Sequence, residues 1–167
     1  NSRIDSLRML LETGGFDAVF VGSGAPKGKE LKLPGRTEGS ANIHIGINWL
    51  ESVAFKHLDK IGEKVLIIGV GNTAMDCCRS SLRLGAREVK VMARKPRQFF
   101  KASEWELEDA ESENVDIVVN HSPKAFVVED GKAAGAILES KQGRMAVRAR
   151  VVVDTTGDGD LFARAGE

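Results

Sequence analysis

VLIIGVGNTAMDCCRSSLRLGAREVKVMARKPR, residues 65–97, reads as one complete strand–helix–strand unit. Val65 to Ile68 is an unbroken apolar run, the pattern of a strand buried on both faces. Gly69-Val70-Gly71 turns the chain, Thr73 to Leu84 has helical spacing, and Gly85 stops the helix. Glu88 to Ala93 alternates as a second strand. A unit of this kind, about thirty residues long, requires parallel strands joined by a right-handed crossover. The unit predicts an α/β fold with a parallel sheet grown around residues 65–93.

Gly69-Val70-Gly71-Asn72-Thr73-Ala74 is a G-x-G-x-x-A turn in the context that gives it meaning, with a buried strand before it and a helix after it. Gly69 permits the sharp turn off the strand. Gly71 lets a pyrophosphate reach the backbone without meeting a Cβ, and Ala74 is small enough for helix and strand to pack closely. Amides at the helix start face the phosphates, and the helix dipole adds to their pull. The end of the second strand selects the dinucleotide. A site for NAD(H) carries Asp or Glu there to hold the ribose 2′-hydroxyl. Here the chain runs Met92-Ala93-Arg94-Lys95-Pro96-Arg97, without a carboxylate. Arg94 is suited to grip a 2′-phosphate bidentately and to stack on adenine, while Lys95 and Arg97 add positive charge. The expected cofactor is NADP(H).

Composition excludes other classes. With 167 residues the chain supports one good core, and 42% hydrophobic with 29% charged residues is globular rather than disordered usage. Its 24 basic and 24 acidic residues cancel, so no global field draws it to nucleic acid or an anionic membrane. Any anion is held by a local site. No apolar run is long enough to span a bilayer and no secretory signal opens the chain, so the expected location is cytoplasmic. Asn1 in place of Met, and the stop at Glu167 after a glycine-rich turn, read as cuts inside a longer protein. Neighbouring Cys77 and Cys78 cannot pair within a helix and read as small packing residues of a reducing compartment. His44, His57 and His121 are scattered as surface or capping residues, Trp49 and Trp105 read as helix-face packing, and no nucleophile–base pair is visible. Asp154, Asp158 and Asp160 lack the spacing of a calcium loop, so no metal site is expected.

Outward from the central unit, residues 4–13 have helical spacing ended by Gly14-Gly15, and Phe16 to Val21 reads as a buried strand closed by Gly22-Ser23-Gly24. Pro26 and Gly28 prevent the helix that would make this second glycine turn a dinucleotide site. Residues 26–41 have loop composition, and a helix is expected within 46–58. Ser103 and Glu106 match a capping box for a helix running to about Glu113. Beyond residue 115 an antiparallel meander is expected, with strands at Val115–Asn120, Ala125–Glu129, Ala134–Glu139 and Ala146–Val153.

Three segments, FDAVFVGSGA at 16–25, KVLIIGVGNTAMDCCRSSLRLGAREVKVMARK at 64–95 and SEWELEDA at 103–110, resemble the flavoprotein family of the glutamate synthase small subunit. Its relatives include the NADPH-reducing part of dihydropyrimidine dehydrogenase. VVVDTTGD at 151–158 extends the resemblance more loosely, so nearly the whole chain is covered. The resemblance implies a Rossmann-like FAD/NAD(P)-binding fold in which a nicotinamide domain is inserted into a flavin domain. Residues 1–33 would then be an edge segment of the flavin domain, 34–148 the NAD(P)-binding domain and 149–167 the return segment. It further implies nicotinamide contacts at Gly69, Gly71, Asn72 and Thr73, a phosphate grip at Arg94 and Lys95, and a flavin contact at Asp158. The expected partners are the remainder of a flavin domain and an iron–sulfur electron acceptor. The function implied is an FAD-dependent oxidoreductase passing hydride between NADPH and FAD, with this chain inactive alone. A non-catalytic dinucleotide-binding redox sensor is the alternative. The strands at 16–21 and 150–154 are both apolar and the resemblance places both in the flavin domain's sheet, so they are expected to lie side by side as a remnant of the flavin domain.

Overall fold

The computed structural model describes residues 6–21 and 28–156. In chain order they form α1 (Leu7–Glu12), β1 (Ile43–Ile45), α2 (Gly46–Ala54), β2 (Lys64–Ile68), α3 (Asn72–Arg83) and β3 (Glu88–Met92). Then follow α4 (Glu104–Ser112), β4 (Asp116–Val118), β5 (Ser122–Glu129), β6 (Lys132–Ser140), β7 (Gly143–Arg148) and β8 (Val151–Asp154).

β2, α3 and β3 form the expected unit, with β2 and β3 parallel in the register Val65 to Val89 through Ile68 to Met92. The sheet built on them has five strands in the order β1-β8-β2-β3-β4, every neighbouring pair parallel. Period-two alternation divides its apolar side chains between two cores. Val65, Ile67, Val91 and Val153 pack with Trp49, Met75 and Leu107 from the helices on one face. Leu66, Ile68, Met92 and Val152 pack with Phe126, Ala136, Leu138 and Val147 from the antiparallel sheet β5-β6-β7 on the other. The sheet is therefore sandwiched, which is why β2 is apolar from Val65 to Ile68 and β8 from Val151 to Val153.

Asn42 joins the two sheets. Its side-chain oxygen accepts from the Ala133 amide at 2.6 Å, and its side-chain nitrogen donates to the carbonyl of Arg150 at 2.6 Å and to that of Ala133.

The structure corrects several expectations. Residues 16–21 form no strand: Phe16, Phe20 and Val21 are 56%, 95% and 58% exposed, and α1 before them buries no residue. The run expected as one strand over 146–153 is two, in different sheets. The Ala149 amide still donates to Ala134 in the meander, whereas the Arg150 amide donates to Lys64 in the parallel sheet. β8 then enters between β1 and β2 and does not pair with residues 16–21. Residues 116–118 form the edge of the parallel sheet rather than part of the meander. β1, in a stretch with no strand pattern, is the other edge and is held through β8. Ser103 is the N-cap of α4, yet the capping box is not closed: Ser103 Oγ and Glu106 Oε2 are buried without hydrogen-bond partners. Trp49 is 2% exposed in the core as expected, but Trp105 is 61% exposed. The glycine turn expected at residues 22–24 lies outside the described residues, as does Asp158.

Candidate functional site

Parallel strands end together at one edge of the sheet, and their loops gather there; this edge is where open α/β sheets bind ligands. Gly69 leaves β2 with φ +127° and its amide donates to the carbonyl of Met92 at 3.0 Å. The residue must be glycine for a second reason beside the turn. Thr155, just past β8, donates to the carbonyl of Ile68 through both its amide at 2.9 Å and its hydroxyl at 2.8 Å. A Cβ on Gly69 would stand 2.5 Å from Thr155 Oγ1 and 2.9 Å from its carbonyl oxygen.

Gly71 is the N-cap of α3, in an extended conformation with φ −95° and ψ 178°. Its carbonyl accepts from the amides of Ala74 at 2.9 Å and Met75 at 3.2 Å, so the amides before Ala74 precede the first intrahelical acceptor. They point out of the helix start at the sheet edge, with half-buried Thr73 in the first turn. Ala74 is fully buried against β2, as close packing of helix on strand requires.

A cleft open to solvent lies over this edge. The glycine turn, with Gly69 and Gly71, forms one wall. Arg94, Lys95 and Lys101 stand in another with Phe99, while Thr155 and Thr156 complete the lining. Among the described residues three cations and no carboxylate line it, so the field of these residues favours an anion despite the chain's neutral balance.

The structure thus brings Gly69, Gly71, Arg94 and Lys95 to one cleft and puts Asn72, Thr73 and Ala74 at the adjoining helix start. Asn72 is occupied structurally: its Oδ1 accepts from the Ser103 amide at 3.2 Å, beside an Ala102 amide that donates to the Val70 carbonyl at 3.2 Å. The start of α4 is thereby strapped to the glycine turn. Arg97 turns away from the cleft to α4, where it pairs with Glu104 at 2.7 Å and with Glu111. These carboxylates hold its guanidinium further above its already high ordinary range.

Sequence reasoning missed Phe99, Lys101, Thr155 and Thr156. Phe99 and Lys101 carry a local signal, an aromatic and a cation shortly after the basic run. Thr155 carries none, since its partner Ile68 is 87 residues away in the chain.

The lining supplies binding chemistry rather than a nucleophile. Cys77 and Cys78 are fully buried on the core side of α3, and burial pushes the Cys78 thiol up to about 12. His44 sits in β1 with its pKa lowered by burial and then by nearby Arg36. His57 is exposed and stacked on Phe55, and His121 Nδ1 lies 2.6 Å from the carbonyl of Val119. Among the described residues no group of His, Cys, Asp and Glu is arranged to hold a metal ion, and no helix is long and apolar enough to cross a membrane.

The family model described as pyridine nucleotide-disulphide oxidoreductase matches residues 10–159. The chain is 36% identical over 121 residues to the NADP(+)-dependent formate dehydrogenase subunit beta of Moorella thermoacetica, covering 72% of this chain and 17% of that one. It is 35% identical over 126 residues to a putative glutamate synthase (NADPH) small chain of Cereibacter sphaeroides, covering 70% and 30% respectively. It is 33% identical over 118 residues to the NADPH-Fe(3+) oxidoreductase subunit beta of Geobacter sulfurreducens, covering 70% and 18%. The chain therefore spans less than a third of the length of these relatives. Among solved structures, the thioredoxin reductase of Lactococcus lactis superposes with a TM-score of 0.66 at 19% identity, over 78% of this chain and 42% of that one. At that identity the likeness is one of fold, and it matches the sandwiched parallel sheet described above. Motif, cleft and family match converge: the chain belongs to the pyridine nucleotide-disulphide oxidoreductase family.

Proposed function

We propose that the chain is the NADP(H)-binding part of an FAD-dependent oxidoreductase. The observation that carries this reading is the cleft itself, which joins the glycine turn at Gly69 and Gly71 to the cations Arg94, Lys95 and Lys101. The residues fit the dinucleotide at both ends. Amides at the start of α3 that precede its first intrahelical bond, with the helix dipole behind them, suit a pyrophosphate. Arg94 and Lys95 follow β3, where an NAD(H) site would carry a carboxylate, and suit a 2′-phosphate. Lys101 adds a third charge, and Phe99 an apolar face in the same wall. Two relatives named for NADPH and one for NADP(+) support the same choice.

When bound, the nicotinamide would supply hydride exchange with a flavin, the electrons then passing to an acceptor such as an iron–sulfur centre. The chain's own residues hold and orient the dinucleotide. Gly69 lets Thr155 close the floor of the cleft, Asn72 keeps α4 against the glycine turn, and Arg97 braces the loop after β3 on α4. Residues 1–33 and 149–167 are assigned to the passage from and to the flavin domain, with 34–148 as the dinucleotide domain and β8 completing its sheet. Asp158 is assigned to the flavin's ribityl chain on the family resemblance.

Calorimetric titration of the unmutated chain with NADPH and with NADH tests the reading. Tighter binding of NADPH by roughly tenfold or more is expected, the scale of one hydrogen bond to a charged group. Equal affinities would remove the NADP(H) assignment.

A further inference from the structure

Asp154 ends β8 with its carboxyl group 1% exposed, and nothing in the glycine turn or the basic loop accounts for it. Burying such a group is costly unless it is hydrogen-bonded. Among the described residues its oxygens take three donors from two places in the chain. Oδ2 accepts from the Leu31 amide at 2.6 Å, across 123 residues of sequence. Oδ1 accepts from the Thr156 amide at 3.0 Å and the Thr156 hydroxyl at 2.7 Å. One side chain therefore ties the incoming segment around residue 31 to the outgoing segment at residue 156.

Of the two tied residues, Thr156 lines the cleft and Leu31 borders the space beside it. Thr156 lines the cleft together with Arg94, and the same two residues border an adjoining space that Leu31, Ser122 and Pro123 close. Arg94 thus stands between the dinucleotide cleft and the segment that Asp154 holds. Between Asp154 and Thr156, Thr155 is pinned to Ile68 against Gly69. The latch, the floor of the cleft and the wall shared with Arg94 form one continuous set of contacts.

We propose that Asp154 is a positioning residue for dinucleotide recognition: it latches Leu31 and Thr156 together and so fixes the cleft wall against which Arg94 works. The proposal rests on the reading of the cleft as an NADP(H) site. It does not make Asp154 a ligand contact, since Asp154 is absent from the lining. Its effect falls on the Arg94 side of the cleft, so it acts on the discrimination between NADPH and NADH and not only on affinity.

Asp154→Asn separates the two legs of the latch. An amide has one accepting oxygen. If that oxygen faces Thr156, its NH2 faces the Leu31 amide, donor against donor, and in the opposite orientation the Thr156 leg is lost. Thr156→Val is milder, removing only the hydroxyl leg.

The test uses the full chain. Amide hydrogen exchange reads Leu31 and Thr156, thermal unfolding reads the fold, and calorimetry reads NADPH and NADH. In the unmutated chain both amides should exchange slowly. Asp154→Asn should release one of them and weaken NADPH roughly tenfold, the size of one lost buried hydrogen bond. NADH should weaken less, so that the ratio of the two affinities falls; Thr156→Val should move the ratio the same way by a smaller factor. A general structural role would weaken both dinucleotides equally and leave the ratio unchanged, and that result overturns the proposal. So does fast exchange at Leu31 in the unmutated chain. Should Asp154→Asn fail to fold, the ratio in Thr156→Val decides. An unmutated chain that binds neither dinucleotide defeats the reading of the cleft before any substitution is made, and the proposal with it.

Discussion

Arg94 and Gly69 stand in the same cleft, but they serve it by different physics. Arg94 contributes charge and bidentate geometry, so its removal should be felt by the ligand. A hydrogen bond to a charged group contributes about 1.5 to 3 kcal/mol, so Arg94→Ala should weaken NADPH roughly ten- to a hundred-fold. NADH lacks the 2′-phosphate and should bind nearly unchanged, while Arg94→Asp should shift the preference towards it; calorimetry reads both. Gly69 contributes space and a backbone conformation. At φ +127°, with Thr155 atoms 2.5 and 2.9 Å from where a Cβ would sit, Gly69→Ala should destabilise the fold by about 1 to 3 kcal/mol or more. Urea unfolding measures that loss, and an unchanged midpoint would mean that Thr155 does not close on the turn. Cys78 gives a prediction in pH. Its folded pKa is raised, so the folded state binds the proton more tightly and stability is unaffected below the ordinary thiol pKa. Above it the unfolded chain ionises first, and stability falls until about pH 12 is reached. The stability advantage of the unmutated chain over Cys78→Ala should be flat at neutral pH and narrow above about pH 9.

At the scale of elements, the start of α4 separates pattern from contact. Ser103 and Glu106 have capping-box spacing, and a working N-cap contributes about 1 kcal/mol. Here both Ser103 Oγ and Glu106 Oε2 are buried without partners, so the serine hydroxyl stabilises nothing that alanine would lose. Ser103→Ala should therefore leave stability unchanged or slightly raised. The start of α4 is held instead from outside, by Asn72 Oδ1 accepting from the Ser103 amide. Asn72→Ala strips that amide of its side-chain acceptor and should cost about 0.5 to 1 kcal/mol by denaturant unfolding, since the bond is solvent-exposed. A large loss in Ser103→Ala together with none in Asn72→Ala would reverse this assignment. The same contact explains why the residue after Gly71 matters in a site where its side chain is turned to the protein.

Across the whole molecule, stabilising burial lies on the two faces of the parallel sheet, and residues 6–21 take little part in it. α1 buries nothing, and Leu7, Met9, Leu11, Phe16, Phe20 and Val21 are all about half exposed or more. Replacing Phe16, Phe20 and Val21 with serine should leave the unfolding free energy within about 0.5 kcal/mol of the unmutated chain, as for other exposed positions. Apolar side chains exposed in one segment also favour association. Sedimentation should show the unmutated chain associating as concentration rises and the triple variant doing so less. A stability loss in the triple variant would show instead that this segment packs on the body.

The strand–helix–strand unit, the glycine turn and the basic loop after β3 were all legible in residues 65–97, because each depends on neighbours within a few residues. Hydrophobic period, turn glycines and a helix start are local consequences of local sequence. The apolar run at 151–153 has the same signature of burial on both faces as 65–68, but that signature carries no address. Only the folded chain places β8 between β1 and β2, and only that placement brings Thr155 onto Gly69 and Asp154 into reach of Leu31. The three residues of β1 are too few to declare a strand and owe their conformation to pairing with β8. Arg94 and Arg97 look alike in sequence, yet one lines the cleft and the other meets Glu104 and Glu111 on α4. Sequence by itself determined which chemistry the chain carries and which segments curl or extend. Tertiary structure decided which of those groups meet, because contacts between residues far apart in the chain are selected by burial and hydrogen bonding over the whole fold and not by any local period.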